Sequence, residues 1–215
     1  MSWWDYGHLV TTQAERIPHS NPFQQNARSS SAYLTAQSEE RAELILDGIA
    51  AGGSVADKSS AELEAIVEGN ETDEEIRYVM IDDEMAGGKF GAITRWSGPD
   101  YGSYVENQQF QVGNETVAAP TVNDNYDNTT MASLYLQDAV GMEQYRLVHE
   151  SDEYSVVGGM RGRGGLLPRN SVSLRAPAGV IRPNRSRRNS PQPAVTIRCI
   201  RASEPRCGTP TSSRR

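Results

Sequence analysis

The charge of this chain changes sign at about residue 160, and that division limits what one fold can include. Residues 1–160 carry 27 Asp and Glu against 8 Lys and Arg, a net −19. Residues 161–215 carry 13 Arg, no Lys and the single acid Glu204, a net +12. Two such compositions seldom share one core. The sequence therefore divides into residues 1–157, an α+β domain of mixed helices and short strands, and residues 158–215, a disordered basic tail rich in Arg, Pro and Ser. The tail loses apolar periodicity and helix caps together. Arg, Pro, Ser, Gly and Ala share GC-rich codons, so a shifted reading frame is the expected origin of residues from about 161 onward; a genuine basic tail is the alternative.

No stretch approaches the roughly 20 apolar residues of a membrane span. Met1 leads straight into Ser2-Trp3-Trp4 without a basic leader, so neither a transmembrane segment nor a signal peptide is read here. Both cysteines, Cys199 and Cys207, lie in the tail, which leaves the acidic region without a thiol for metal or redox work. That region holds only two lysines, Lys58 and Lys89. A lysine-poor, acidic surface fits concentrated salt, where self-repulsion is screened.

Local signals place several elements. Residues 17–23 read as loop, because Pro18 and Pro22 push their predecessors out of helix. A helix is expected over 38–51, with Ser38 as N-cap, Glu39 and Glu40 at the positive end of the dipole, and Gly52-Gly53 as the stop. Leu44, Ile45 and Ile49 form its expected buried face. A second is expected over 60–68, opened by a Ser59/Glu62 capping box, with Leu63, Ile66 and Val67 apolar. Residues 78–81 (YVMI) read as a buried strand ending at Asp82. A broken helix is expected over 83–96, weak strands within 97–127, a helix over 130–140, and strands at 145–149 and 154–157.

The string Trp3-Trp4-Asp5-Tyr6-Gly7 is the most informative. Two of the three tryptophans directly precede an aspartate, and a tyrosine follows it. Indole N–H groups and a carboxylate in an aromatic setting suit a small hydroxyl: the carboxylate accepts its proton and an indole donates to its oxygen. An aromatic knot at a domain's entry is the competing structural reading.

WWDYG resembles the signature of oligosaccharyltransferase catalytic subunits, which attach lipid-linked glycans to asparagine. The likeness continues through residues 3–10 (WWDYGHLV), 15–18 (ERIP) and 21–25 (NPFQQ), in the archaeal form, with an acidity that points to a haloarchaeal one. Residues 82–93 (DDEMAGGKFGAI) resemble the second short motif of the archaeal family, which sets an Asp, a Lys and an Ile or Met on a kinked helix beside WWDYG. Residues 145–150 (YRLVHE) resemble a later stretch of the same domain, so the likeness covers about residues 1–157.

The resemblance implies that Trp3, Trp4, Asp5, Asp82, Lys89 and Ile93 bind the acceptor sequon, reading the +2 hydroxyl of Asn-x-Ser/Thr, with Tyr6 and Gly7 as motif support. Lys89 and Ile93 stand four apart on one helical face. It implies no catalytic residue and no metal ligand in this chain. In the family, Mn or Mg and the dolichol-linked oligosaccharide are held by a membrane domain absent from this sequence. The isolated chain is thus expected to be inactive and to bind no cofactor. The implied partner is an acceptor polypeptide, and the implied place is the extracellular face of the cell membrane. A non-catalytic module binding Ser/Thr-containing peptides is the alternative. His8, His19 and His149 lack ligand spacing, and Gly87-Gly88-Lys89 lacks the rest of a phosphate loop. The tail has no aromatic to stack on bases, so nucleic acid is not an expected partner.

Overall fold

Ser38, Ser59, Asp82, Asn123 and Thr129 each accept a hydrogen bond from a backbone N–H two or three residues on, and each opens a helix. The computed structural model describes residues 1–70, 72–150 and the backbone of 197–202. After a 3-10 turn at Trp4–Tyr6 come helices α1 (Gly7–Gln13), α2 (Ala27–Leu34), α3 (Glu39–Ala50) and α4 (Ser60–Gly69). Strand β1 (Tyr78–Asp82) leads into α5 (Asp83–Ala86) and α6 (Phe90–Ile93). A hairpin of β2 (Val105–Val112) and β3 (Glu115–Val122) precedes α7 (Asp124–Asp127), α8 (Thr130–Leu136) and β4 (Tyr145–Glu150). The class is α+β. Among the described residues no helix is long and apolar enough to cross a membrane.

The caps fix α3 and α4 close to their expected bounds, and the Ser59/Glu62 capping box is complete. The buried face of α3 is rotated from the expected one: Ala42, Ile45 and Leu46 are buried, while Leu44 and Ile49 are half-buried. The helix over 83–96 breaks as expected, into α5 and α6. The helix over 130–140 stops early, because Asp138 and Ala139 turn left-handed. The weak strands become the hairpin, paired in full register from Val105↔Val122 to Val112↔Glu115.

One part of the tail departs from the disordered reading. Residues 197–202 form strand β5 (Ile197–Ala202), which lies antiparallel between β1 and β4. The local run AVTIRCI, rich in β-branched residues, supplies strand propensity that the averaged tail composition conceals. Residues 151–196, with the expected strand at 154–157, and residues 203–215 lie outside the described residues.

Two further features position the site. Met1 flanks the free side of β1, donating to Tyr78 O and accepting from Met80 N–H, so the chain start runs beside the strand that ends at Asp82. Phe90 anchors α6 in the core, meeting Tyr101, Tyr104 and Tyr126 edge-on at ring distances of 6.3, 5.0 and 4.8 Å. The Tyr126 hydroxyl donates to Ala86 O and so secures the break between α5 and α6.

Candidate functional site

The two motifs meet at Lys89. Its ammonium lies 2.7 Å from Asp5 Oδ2, 3.0 Å from Glu84 Oε2 and 2.7 Å from the Tyr6 hydroxyl, and 4.3 Å from the centre of the Tyr6 ring. Burial alone would lower the Lys89 pKa. Hydrogen bonds to Asp5, Tyr6 and Glu84 outweigh it and hold the ammonium above its ordinary value, so it stays charged. The 3-10 turn aims Asp5 and Tyr6 at the kink, and the Gly87-Gly88 break lets Lys89 turn back toward them.

Asp82 plays a different part. It is 2% exposed and caps α5, accepting from Met85 N–H at 2.8 Å. Burial raises its pKa against the hydrogen bonds from Tyr6 and Met85 and the charge of Lys89. The Tyr6 hydroxyl lies beside this carboxylate; burial first, and Asp82 second, push the phenol upward. Asp82 Oδ2 has no hydrogen bond of regular geometry.

Two neighbouring polar atoms are also left without a partner: the Trp4 indole Nε1 and Asp5 Oδ1. They offer one donor and one acceptor on consecutive residues, with Asp5 held in place through its other oxygen. Trp3 is 3% exposed and belongs to the core, its ring 6.1 Å from that of Trp4. Ile93 is fully buried, and what it presents locally is its carbonyl, which accepts from Ser31 Oγ at 2.6 Å. The structure thus gathers Asp5, Tyr6, Asp82 and Lys89, leaves Trp4 half-buried against the core, and buries Trp3 and Ile93 within it.

Sequence reasoning missed Glu84 and three serines of structural weight. Ser30 Oγ donates to Ser20 Oγ at 2.9 Å, and Ser20 Oγ donates to Ser2 O at 2.8 Å. Ser31 holds the end of α6. Helix α2 therefore ties both motifs. The run Ser29-Ser30-Ser31 without Gly or Pro was the available signal. Gly7 admits the turn that carries Ser20: a Cβ there would stand 2.6 Å from Ser20 O and 2.8 Å from Asn21 Cα.

Among the described residues no group of three His, Cys, Asp or Glu is placed to hold a metal. Asp5 and Glu84 both face the Lys89 ammonium, which opposes a dication. The residues here do not fit Mn or Mg.

Residues 1–61 match a sequence family described as the AglB core domain. The chain is 28% identical over 178 residues to dolichyl-phosphooligosaccharide-protein glycotransferase 3 of Archaeoglobus fulgidus, covering 71% of this chain and 18% of that protein. It is 34% identical over 163 residues to the dolichyl-monophosphooligosaccharide-protein glycotransferase AglB of Haloferax volcanii, covering 71% and 14%. The Archaeoglobus fulgidus oligosaccharyltransferase, solved with Zn and sulfate, and again with an inhibitory peptide and a dolichol-phosphate, matches at TM-score 0.51 in each case. Identity is 25% over 71% of this chain and 19% and 18% of those chains. The chain is thus similar to archaeal AglB-type oligosaccharyltransferases, proteins named as dolichyl-phosphooligosaccharide-protein glycotransferases. It spans under a fifth of the length of these relatives.

Proposed function

We propose that this chain supplies the acceptor-recognition part of an AglB-type oligosaccharyltransferase, which transfers an oligosaccharide from a dolichol phosphate carrier to the Asn of Asn-x-Ser/Thr. The Trp4 indole N–H donates to the +2 hydroxyl oxygen and Asp5 Oδ1 accepts its proton. Lys89 holds Asp5 through the other oxygen, and Tyr6 keeps Lys89 over the pair. Trp3 and Ile93 set the positions of Trp4 and Lys89 from the core. The observation that carries this reading is the pair of unpartnered buried atoms, Trp4 Nε1 and Asp5 Oδ1. An unmade bond at such atoms is costly, and a hydroxyl satisfies both. Since both atoms are shielded from solvent, a rotamer step of the Trp4 ring accompanies binding.

The glycan, the carrier and the metal belong to other residues of such an enzyme. The extracellular face of the membrane and a high-salt setting complete the proposal, the latter supported by the −19 charge of residues 1–160.

The test is the affinity of the purified chain, in concentrated salt, for an Asn-x-Thr peptide against the Asn-x-Val analogue. Valine leaves a charged acceptor and an indole N–H unpaired, which costs about 1.5–3 kcal/mol, or about 10- to 150-fold. Asp5→Ala is expected to remove the preference. Equal affinity of the wild-type chain for both peptides would refute the reading.

A further inference from the structure

We propose that the turn following the WWDYG helix is a membrane-docking face, inserting Ile17 and Phe23 into the interface of a lipid bilayer. Ile17 is 98% exposed and Phe23 81%, the two most exposed large apolar side chains among the described residues. Leu9, 44% exposed on α1, lies in the same segment. Isolated apolar residues on a surface are ordinary. Phe23 is carried by a turn that is built to hold it out, and Ile17 lies on the chain that leads into that turn.

Asn21 organises that turn. Its backbone N–H donates to Gln25 O, its carbonyl accepts from Gln24 N–H, its Oδ1 accepts from Phe23 N–H at 3.1 Å, and its Nδ2 donates to Gln25 Oε1 at 2.6 Å. Asn26 Nδ2 closes the base on His19 O at 2.7 Å. Glu15, Gln24 and Asn26 are left-handed non-glycine residues, with φ of 51°, 61° and 60°. Such strain persists where the surroundings over-determine it, and it concentrates at functional loops. The turn is therefore a hydrogen-bonded mount for Phe23, and neither Phe23 nor Ile17 is packed on the chain that carries it.

Charge selects the occupant. Between residues 6 and 37 Glu15 is the one acid, against Arg16 and Arg28, in a region that elsewhere is densely acidic. Arg28 is paired with Asp57, so this stretch is close to neutral, with Arg16 exposed. Bilayer surfaces are commonly anionic and repel an acidic protein everywhere except at such a face. Two separate protruding side chains, flanked by Thr11, Thr12, Gln13, Gln24 and Gln25, suit penetration between headgroups; a protein partner calls for a contiguous apolar patch. The turn also abuts the recognition site, since Ser20 packs on Gly7 and bonds to Ser2.

The test is co-sedimentation of the full chain with phosphatidylglycerol–phosphatidylcholine vesicles across a salt series. The wild type is expected to bind, and to bind better as salt rises, because salt screens the repulsion of its acidic surface while insertion persists. The double variant Ile17→Ser, Phe23→Ser is expected to lose about tenfold or more of that partitioning. It should retain its thermal unfolding midpoint and its Asn-x-Thr preference, which separates failure here from failure of the sequon reading. No wild-type binding, unchanged binding of the variant, or binding abolished by salt would overturn the proposal. Capture of a protein through Phe23 without vesicle binding would overturn it equally.

Discussion

Lys89 and Asp5 stand 2.7 Å apart across 84 positions of sequence, and the contact uses only one oxygen of the carboxylate. The ammonium thereby fixes Asp5 through Oδ2 and leaves Oδ1 without a hydrogen-bond partner. Both side chains are 29% exposed, so solvent moderates the pair.

Replacing the cation tests that division of labour. Lys89→Met is expected to lower stability by about 1–2 kcal/mol, since Asp5, Glu84 and the Tyr6 hydroxyl lose a charged donor together and the partial exposure limits the cost. Denaturant unfolding measures it. The variant should also lose Thr-over-Val discrimination while Asp5 is still present, because a released carboxylate turns to solvent. A fully retained discrimination would mean that Lys89 does not position Asp5.

Gly7→Ala probes how closely the motif approaches the next turn. The new Cβ meets backbone atoms, Ser20 O and Asn21 Cα, which cannot swing aside as a side-chain tip can. A loss of about 1–3 kcal/mol is expected from overpacking. A stability within about 0.5 kcal/mol of wild type would show that the contact relaxes freely.

Much of this organisation is legible locally, and the rest fails to be for a physical reason. Ser38 and Ser59 carry cap signals that depend on three or four neighbouring residues, so α3 and α4 are readable. The YVMI run and the Gly87-Gly88 break are equally local. Helix α2 is not, because serines are indifferent helix formers. Its stability comes from buried Tyr33 and Leu34 and from hydroxyls whose partners lie elsewhere in the chain: Ser20 for Ser30, and Ile93 O for Ser31. The pairing of Asp5 with Lys89 follows from motif resemblance, whereas the burial of Ile93 depends on packing around α6 that helical spacing alone cannot specify. Strand β5 shows the converse, a short local pattern hidden inside a misleading average.

The serine relay makes its own prediction. Ser20→Ala removes the middle of a buried chain and leaves Ser2 O and the Ser30 hydroxyl without their partner. The expected cost is about 1–3 kcal/mol. Adding Ser30→Ala should cost less than the sum of the two single changes, since the orphaned hydroxyl is then gone. Additive losses in a double-mutant cycle would contradict the coupling.

A half-buried carboxylate on α3, Glu43, sets a pH dependence. Burial raises the Glu43 pKa, against a hydrogen bond from Tyr145, with Asp47 and Glu39 raising it further. The folded pKa lies above the unfolded one, so the folded chain binds this proton more tightly. Its contribution is most favourable below the ordinary carboxylate value of about 4.3, and declines as pH rises toward the folded value. Glu43→Gln should therefore stabilise the chain at pH 7 more than at pH 4, read as the difference in unfolding free energy between variant and wild type. A difference independent of pH would contradict the assigned direction.

Hydroxyl recognition by Trp4 and Asp5 is read most directly from the indole N–H resonance of Trp4, resolved from Trp3 and Trp96 by substitution and followed by NMR as peptide is added in concentrated salt. A downfield shift of the Trp4 signal is expected with Asn-x-Thr, little change with Asn-x-Val, and no response at Trp96. A Trp4 resonance that stays still with the threonine peptide, or moves equally with both, would contradict that recognition.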